Sequence, residues 1–267
     1  MYVSASKLNT FLTCPRKAVL EAMGFRRPYN DTFKRGHDLH LALERYLTGQ
    51  TPIIDDPLAI YARAHLPMPN DPNIWVEIGL GKASDDAGRY SDTSVWTGMQ
   101  DEVDGVPILG ISDLVRMDRG MLEVWDHKTT SSFYYAETED TLGGNLQLNL
   151  YADHFIRWLD YQGPVKLAHI QYLKSKRKTG PRPSDVRVVE VTLPHTTILM
   201  RGRVLRQMAQ DYINLLREAQ PVSIPREREG CSKYGGCHLL GVCDTMEEPD
   251  GHSKWPMRWH LTTNPII

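Results

Sequence analysis

The sequence predicts an α/β fold on three observations. Runs with apolar residues at every second position recur along the chain, runs with apolar residues three or four apart fall between them, and a tight turn joins two strands near the middle. The 267 residues are enough to bury one full core. A hydrophobic content of 41% and a charged content of 24% are ordinary for a globular chain. No apolar run approaches the length that spans a bilayer. The opening MYVSASKLNT lacks the apolar core of a signal peptide, so the expected location is cytoplasmic. A formal charge of −2 excludes a globally basic nucleic-acid binder, and any phosphate contact must come from a local patch.

Taken in order, Ser4-Ala-Ser6 and the KLNTFLTCPRKAVLEAM that follows read as a capped helix with Leu8, Phe11 and Leu12 on its apolar face. Pro15 either kinks that helix or starts a second one just after Cys14. A helix is expected from about Thr32 to Leu47, with Gly36, His40 and Glu44 on one face and Leu39, Leu43 and Tyr46 or Leu47 beside them. Residues 51–71 are Pro-rich, with one short helix near Leu58–His65. IWVEIGLGKA at 74–83 reads as a strand with Glu77 in its middle, residues 85–93 as a hairpin loop, and Val95–Glu102 as a second strand.

The stretch GISDLVRMDRGMLEVWDHKTT, beginning at Gly110, reads as two strands joined at Met117-Asp118-Arg119-Gly120. Side chains on a strand alternate, so Asp126 and Lys128 share one face and His127 takes the other, while strand pairing can bring Asp113 beside them. Two carboxylates and an ammonium suit a hard cation such as Mg²⁺ or Mn²⁺ with a charged helper. Taken alone, the same residues also describe a solvated surface hairpin.

A helix is expected from about Leu142 to Trp158, with Leu148, Ala152, Phe155 and Leu159 facing the core and Gln147, Tyr151, His154 and Trp158 on a neighbouring face. VKLAHIQYL at 165–173 is a strand. The basic stretch after it carries Lys174, Lys176, Arg177 and Lys178, a natural phosphate contact or a solvated face. A strand at Asp185–Leu193 and a long helix from Thr196 to Ala219 follow, and Pro221 and Pro225 end the helix. The four cysteines of the chain are Cys14, Cys231, Cys237 and Cys243. Three clustered and one remote thiol suggest a four-thiolate site for an iron–sulfur cluster or zinc, with His238 an alternative fourth ligand for zinc.

Together these residues resemble the PD-(D/E)XK nucleases of the RecB-like type, in the branch with an iron–sulfur staple that includes the CRISPR adaptation exonuclease and the AddB nuclease domain. The family's G-x-x-x-H with a following Glu matches Gly36, His40 and Glu44, and its G-x-x-D matches Gly110 and Asp113. Its (D/E)-x-K matches Asp126 and Lys128, and its Q-x-x-x-Y matches Gln147 and Tyr151. The resemblance covers residues 4–243. It departs from relatives with a C-x-x-C pair, since five residues separate Cys231 from Cys237, which keeps zinc open beside a [4Fe–4S] cluster.

The resemblance implies a restriction-endonuclease-like central mixed sheet flanked by helices, its N- and C-terminal segments joined by the metal cluster. It implies one nuclease domain over residues 1–250, with 1–30 and 220–245 forming the cluster lobe and 251–267 an extension. His40, Asp113, Asp126 and the backbone carbonyl of His127 would be metal ligands, Lys128 would position a water, and Gln147 and Tyr151 would hold the DNA strand. The implied activity is a Mg²⁺- or Mn²⁺-dependent DNA exonuclease acting on single strands or ends, in a phage or bacterial setting of recombination, replication or CRISPR adaptation. The alternative is a DNA-end-binding adaptor that keeps the fold without useful cleavage. No G-x-x-x-x-G-K-[ST] motif is present, so the chain is not expected to unwind DNA by itself.

Overall fold

The computed structural model describes residues 1–25, 31–79, 101–174, 179–218, 223–224, 231 and 237–244, the first three residues of the segment starting at 31 by backbone only. The Ser4 side chain accepts from the Lys7 N–H at 3.4 Å and opens α1 (Ala5–Thr13). Pro15 does not kink it. Cys14 is extended, and Pro15 becomes the first residue of α2 (Pro15–Ala22), where a missing N–H costs no helical bond. α3 (Asp31–Leu47) and a 3₁₀ turn at Ala59–His65 follow.

The strands are β1 (Ile74–Gly79), the short pair β2 (Glu102–Val103) and β3 (Val106–Pro107), then β4 (Ile111–Asp118) and β5 (Met121–Thr130). Of the strand expected at 74–83, the part beyond Gly79 lies outside the described residues, as does most of Val95–Glu102. Its described end pairs in the separate β2–β3 hairpin instead of joining the main sheet. The expected turn between β4 and β5 forms at Arg119 (φ 50°) and Gly120 (φ 81°), both left-handed, the geometry that lets two twisted strands meet through a two-residue loop.

α4 (Glu139–Leu142) and α5 (Leu146–Trp158) replace the single helix expected from Leu142 to Trp158. The break falls at Gly143-Gly144, after which the Asn145 side chain accepts from the Leu148 N–H at 3.0 Å and restarts the helix. β6 (Val165–Leu173), β7 (Val186–Leu193), α6 (His195–Glu218) and α7 (Leu240–Asp244) complete the order.

The main sheet runs β1-β4-β5-β6-β7, antiparallel except for the parallel pair β5–β6. That parallel step needs a crossover, and α4 and α5 supply it. The expectation of a mixed sheet flanked by helices therefore holds. Val115, Val124 and Leu167 on one face join α1, α5 and α6 in the larger core, with Leu148, Ala152 and Phe155 of α5 fully buried as expected. Leu114, Trp125, Ala168 and Tyr172 on the other face pack with Leu39, Leu43 and Leu47 of α3. Each fully buried Leu or Phe stabilises the fold by about 1.5–3 kcal/mol.

α6 approaches α5 at Gly202, where an added Cβ would lie 2.1 Å from Asp153 Oδ1 and 2.8 Å from its Cβ. Asp153 is itself buried and paired with Arg206 and Arg157, so it has little room to yield. Gly202→Ala is expected to destabilise the protein by about 1–3 kcal/mol. A denaturant midpoint equal to wild type would contradict that close contact.

Candidate functional site

The hairpin sets the centre of the site. β5 carries Asp126 and Lys128, and β4 brings Asp113 alongside, its Oδ2 accepting from the His127 N–H at 2.7 Å. Lys128 Nζ lies 2.7 Å from Asp126 Oδ2. α5 then closes over the strands through Gln147. Its amide donates to Asp126 Oδ1 at 2.8 Å and to the Tyr151 hydroxyl at 3.1 Å, while its Oε1 accepts from Lys128 at 2.9 Å. Gln147 thus links the carboxylate and the ammonium. Tyr151 is only 4% exposed, and its hydroxyl accepts from Gln147 within the fold.

α3 supplies His40, whose Nδ1 lies 3.3 Å from Asp113 Oδ1. β1 supplies a residue that sequence reasoning placed in a strand but did not assign to the site. Val76 pairs with Leu114 and Ile78 with Ser112, which sets Glu77 across from Asp113. Glu77 has φ of 50° inside a strand, and the alternation of the strand breaks there: Val76 packs on the α3 side and Ile78 joins the larger core. A left-handed non-glycine residue within a strand is strained, and such strain concentrates at functional sites. One ligand atom each from His40, Glu77 and Asp113 lie within 4.8 Å of one another.

The His127 ring is buried, with Tyr172 OH 3.1 Å from its Nδ1. His169 of β6, opposite Asp126 in the parallel register, is buried with its Nε2 3.7 Å from Asp126 Oδ2. Glu44 takes no part in the close cluster of His40, Glu77 and Asp113.

The clustered carboxylates make a strong negative field. Burial pushes Glu77 up to about 8, and Asp113 adds to the rise. Burial works against a charged His40, yet Asp113, Asp126 and Glu77 overcome it and lift the imidazole to about 9. Asp113 resists burial because His40, His127 and Lys128 face it, and is held at about 2. Burial raises Asp126 to about 6 despite Lys128. Burial likewise keeps His127 and His169 neutral, lowered to about 4 and about 3. Lys128 is raised: burial opposes its charge, but Asp126 and Asp113 more than compensate. A field that holds an imidazolium at neutral pH also attracts a divalent cation.

A second cluster brings the N-terminal and C-terminal segments together. Cys14, Cys231, Cys237 and Cys243 all line one pocket, together with Leu20, Leu239 and Lys17, and none is in a disulfide. Arg16 is fully buried and its Nη1 donates to Cys243 Sγ at 3.6 Å. The Cys237 N–H donates to Cys231 O at 2.8 Å. Of the predicted phosphate contacts, Lys174 follows β6, its N–H donating to Thr130 O at 2.8 Å. Lys176, Arg177 and Lys178 lie outside the described residues. Among the described residues no helix is long and apolar enough to cross a membrane.

No curated protein matches the sequence. Among solved structures, the crystal structure of SSO0001 is similar at 17% identity, covering 80% of this chain and 76% of that one with a TM-score of 0.39. A sequence-family model for the PD-(D/E)XK nuclease superfamily matches residues 2–244, and the chain belongs to that superfamily.

Proposed function

We propose that the protein is a divalent-cation-dependent DNA exonuclease acting on single strands or DNA ends. The observation that carries this reading is the convergence of His40, Glu77 and Asp113 within 4.8 Å, beside the Asp126–Lys128 pair 2.7 Å apart. The donors are hard oxygens and one imidazole, the set that suits Mg²⁺ or Mn²⁺. His40, Asp113, Asp126 and the His127 carbonyl would hold the ion, with Glu77 completing the acidic wall. A bound ion supplies Lewis-acid polarisation of the phosphoryl oxygen and offsets the charge that grows there.

The remaining work falls to side chains. Lys128 stays cationic and, fixed by Asp126 and Gln147, donates hydrogen bonds to a phosphate oxygen or orients an attacking water. Gln147 keeps Lys128 and Asp126 in register, and Tyr151 limits its rotation. Chelated protein given an end-labelled single strand is expected to release nucleotides from the end only when Mg²⁺ or Mn²⁺ is restored. Intact label with either ion would sink the reading.

The four thiols fit a structural [4Fe–4S] cluster, with zinc as the other occupant of four thiolates. They line one pocket, and the buried Arg16 beside Cys243 offsets negative charge on thiolate sulfur. Such a cluster would tie α2 to the segment around α7, closing a loop of more than two hundred residues and stabilising the fold. Cys14→Ala is expected to lose the metal and lower the melting temperature. Iron, sulfide and zinc analysis checks it: a variant that keeps its full metal content removes Cys14 from the ligand set.

A further inference from the structure

The chain leaves β5 at Thr130 and immediately makes a 3₁₀ turn, Phe133–Tyr135. Tyr134 is 85% exposed and Tyr135 82% exposed, and the two rings stand edge to face with centroids 4.9 Å apart. Large aromatic side chains contribute to stability by burial, and these two contribute almost none. The backbone beneath them is nevertheless held from both ends. Before the turn, Thr130 Oγ1 donates to Ser132 O at 2.8 Å, and Ser132 Oγ accepts from the Tyr134 N–H at 3.2 Å. After it, Gln171 Nε2 donates to Glu137 O at 2.8 Å. Arg187 lies 4.7 Å from the Phe133 ring centroid and also reaches Phe133 O. A fixed turn that presents two unburied rings is preorganised for a ligand with flat apolar faces.

We propose that Tyr134 and Tyr135 form a stacking platform for the unpaired bases of the DNA strand threaded to the Asp126–Lys128 site. The proposal rests on the nuclease reading above and narrows its substrate to strands with exposed bases. Tyr134 follows Lys128 by six residues, a chain reach of at most about 20 Å. That limit corresponds to no more than about six stacked nucleotides at 3.4 Å each. Phosphates engage the charged site while bases beyond it rest on the rings. Stacking tolerates every base because each has a π-face, so no sequence preference is expected from it. A paired duplex offers no free base faces along its length, and the platform should not contribute to binding it.

The test is binding measured by fluorescence anisotropy, without divalent ion, on the full chain with a labelled oligothymidylate and with a blunt duplex. The double variant Tyr134→Ala, Tyr135→Ala is expected to bind the single strand roughly 5- to 100-fold more weakly. The double variant to Phe keeps the rings and should bind as wild type does. With wild-type protein, abasic sites placed at the stacked positions should cause the same loss, and the Ala variant should lose nothing further. An Ala variant that binds the single strand like wild type overturns the proposal, as does one that loses single strand and duplex equally. Wild type that binds but never cleaves, with any ion, defeats the nuclease reading and leaves the platform standing. Wild type that cleaves, with an unaffected Ala variant, defeats the platform alone.

Discussion

Replacing Lys128 by methionine is expected to lower DNA cleavage by about 10²- to 10³-fold, the usual cost of removing one charge-stabilising donor at a reacting oxygen. Methionine keeps an unbranched stem of similar length and removes the ammonium. The donor lies 2.7 Å from Asp126 and 2.9 Å from Gln147 Oε1, so it has one place to act. The variant should still bind Mn²⁺, because His40, Glu77 and Asp113 are untouched. Single-turnover cleavage of a labelled strand reads the chemistry, and Mn²⁺ titration in parallel reads the ion. Cleavage above a tenth of the wild-type rate would remove Lys128 from the reaction.

The second large effect concerns stability, at Asp101. Its carboxylate is 5% exposed and joins three elements. Arg206 of α6 grips both oxygens, Arg157 of α5 donates to Oδ2 at 2.6 Å, and His154 Nδ1 is 3.7 Å away. Burial alone would raise the Asp101 carboxyl, but His154, Arg206 and Arg157 outweigh it and hold it far below the ordinary range. Asp101→Ala leaves two partly buried guanidiniums with Asp153 alone, and should cost about 3–5 kcal/mol. At about 2–4 °C per kcal/mol for a chain near this size, the melting temperature should fall by roughly 10 °C. The pH dependence has a definite sign. A depressed folded pKa means the stabilisation is complete above the unfolded value of about 3.9 and is lost as pH falls through the folded one. Wild type should therefore shed this stability below about pH 4, and Asp101→Asn should lack that part of the acid transition. A variant that melts with wild type would show that the network contributes nothing net.

The sequence revealed what local periodicity and turn chemistry encode. Arg119-Gly120 marked the hairpin, and with it the relation of Asp113 to Asp126 and Lys128, because a two-residue turn fixes the register. Gln147 and Tyr151 could be paired from helical spacing alone. Glu77 could be placed in a strand but not opposite Asp113, since that depends on the pairing of β1 with β4 across more than thirty residues and on a broken alternation that no pattern announces. His169 was missed for the same reason, its place being set by the parallel register of β5 and β6. Asp101 depends on arginines 56 and 105 residues away. The break between α4 and α5 was there to be read in Gly143-Gly144, and helical periodicity on both sides concealed it. The cysteines were legible by count, whereas the buried Arg16 beside Cys243 has no sequence signal beyond an arginine near a thiol.

We propose that the buried Asp113 and Asp126, beside the strained Glu77, hold the cation that DNA cleavage needs. Asp126 titrates at about 6 in the fold, above the ordinary carboxylate, because of burial and despite Lys128. Between the unfolded value near 4 and about 6 its ionisation works against folding, and above that the cost stays constant. The most direct test is thermal melting of chelated wild type and Asp126→Asn at neutral pH, with and without Mn²⁺, alongside cleavage of a labelled single strand. Chelated Asp126→Asn should melt no lower than wild type. Wild type should rise with Mn²⁺ by the equivalent of about 2.7 kcal/mol at a hundredfold excess over its Kd, the variant should rise far less, and only wild type should cut. An Asp126→Asn protein that gains the full Mn²⁺ shift and cleaves at the wild-type rate would contradict the account.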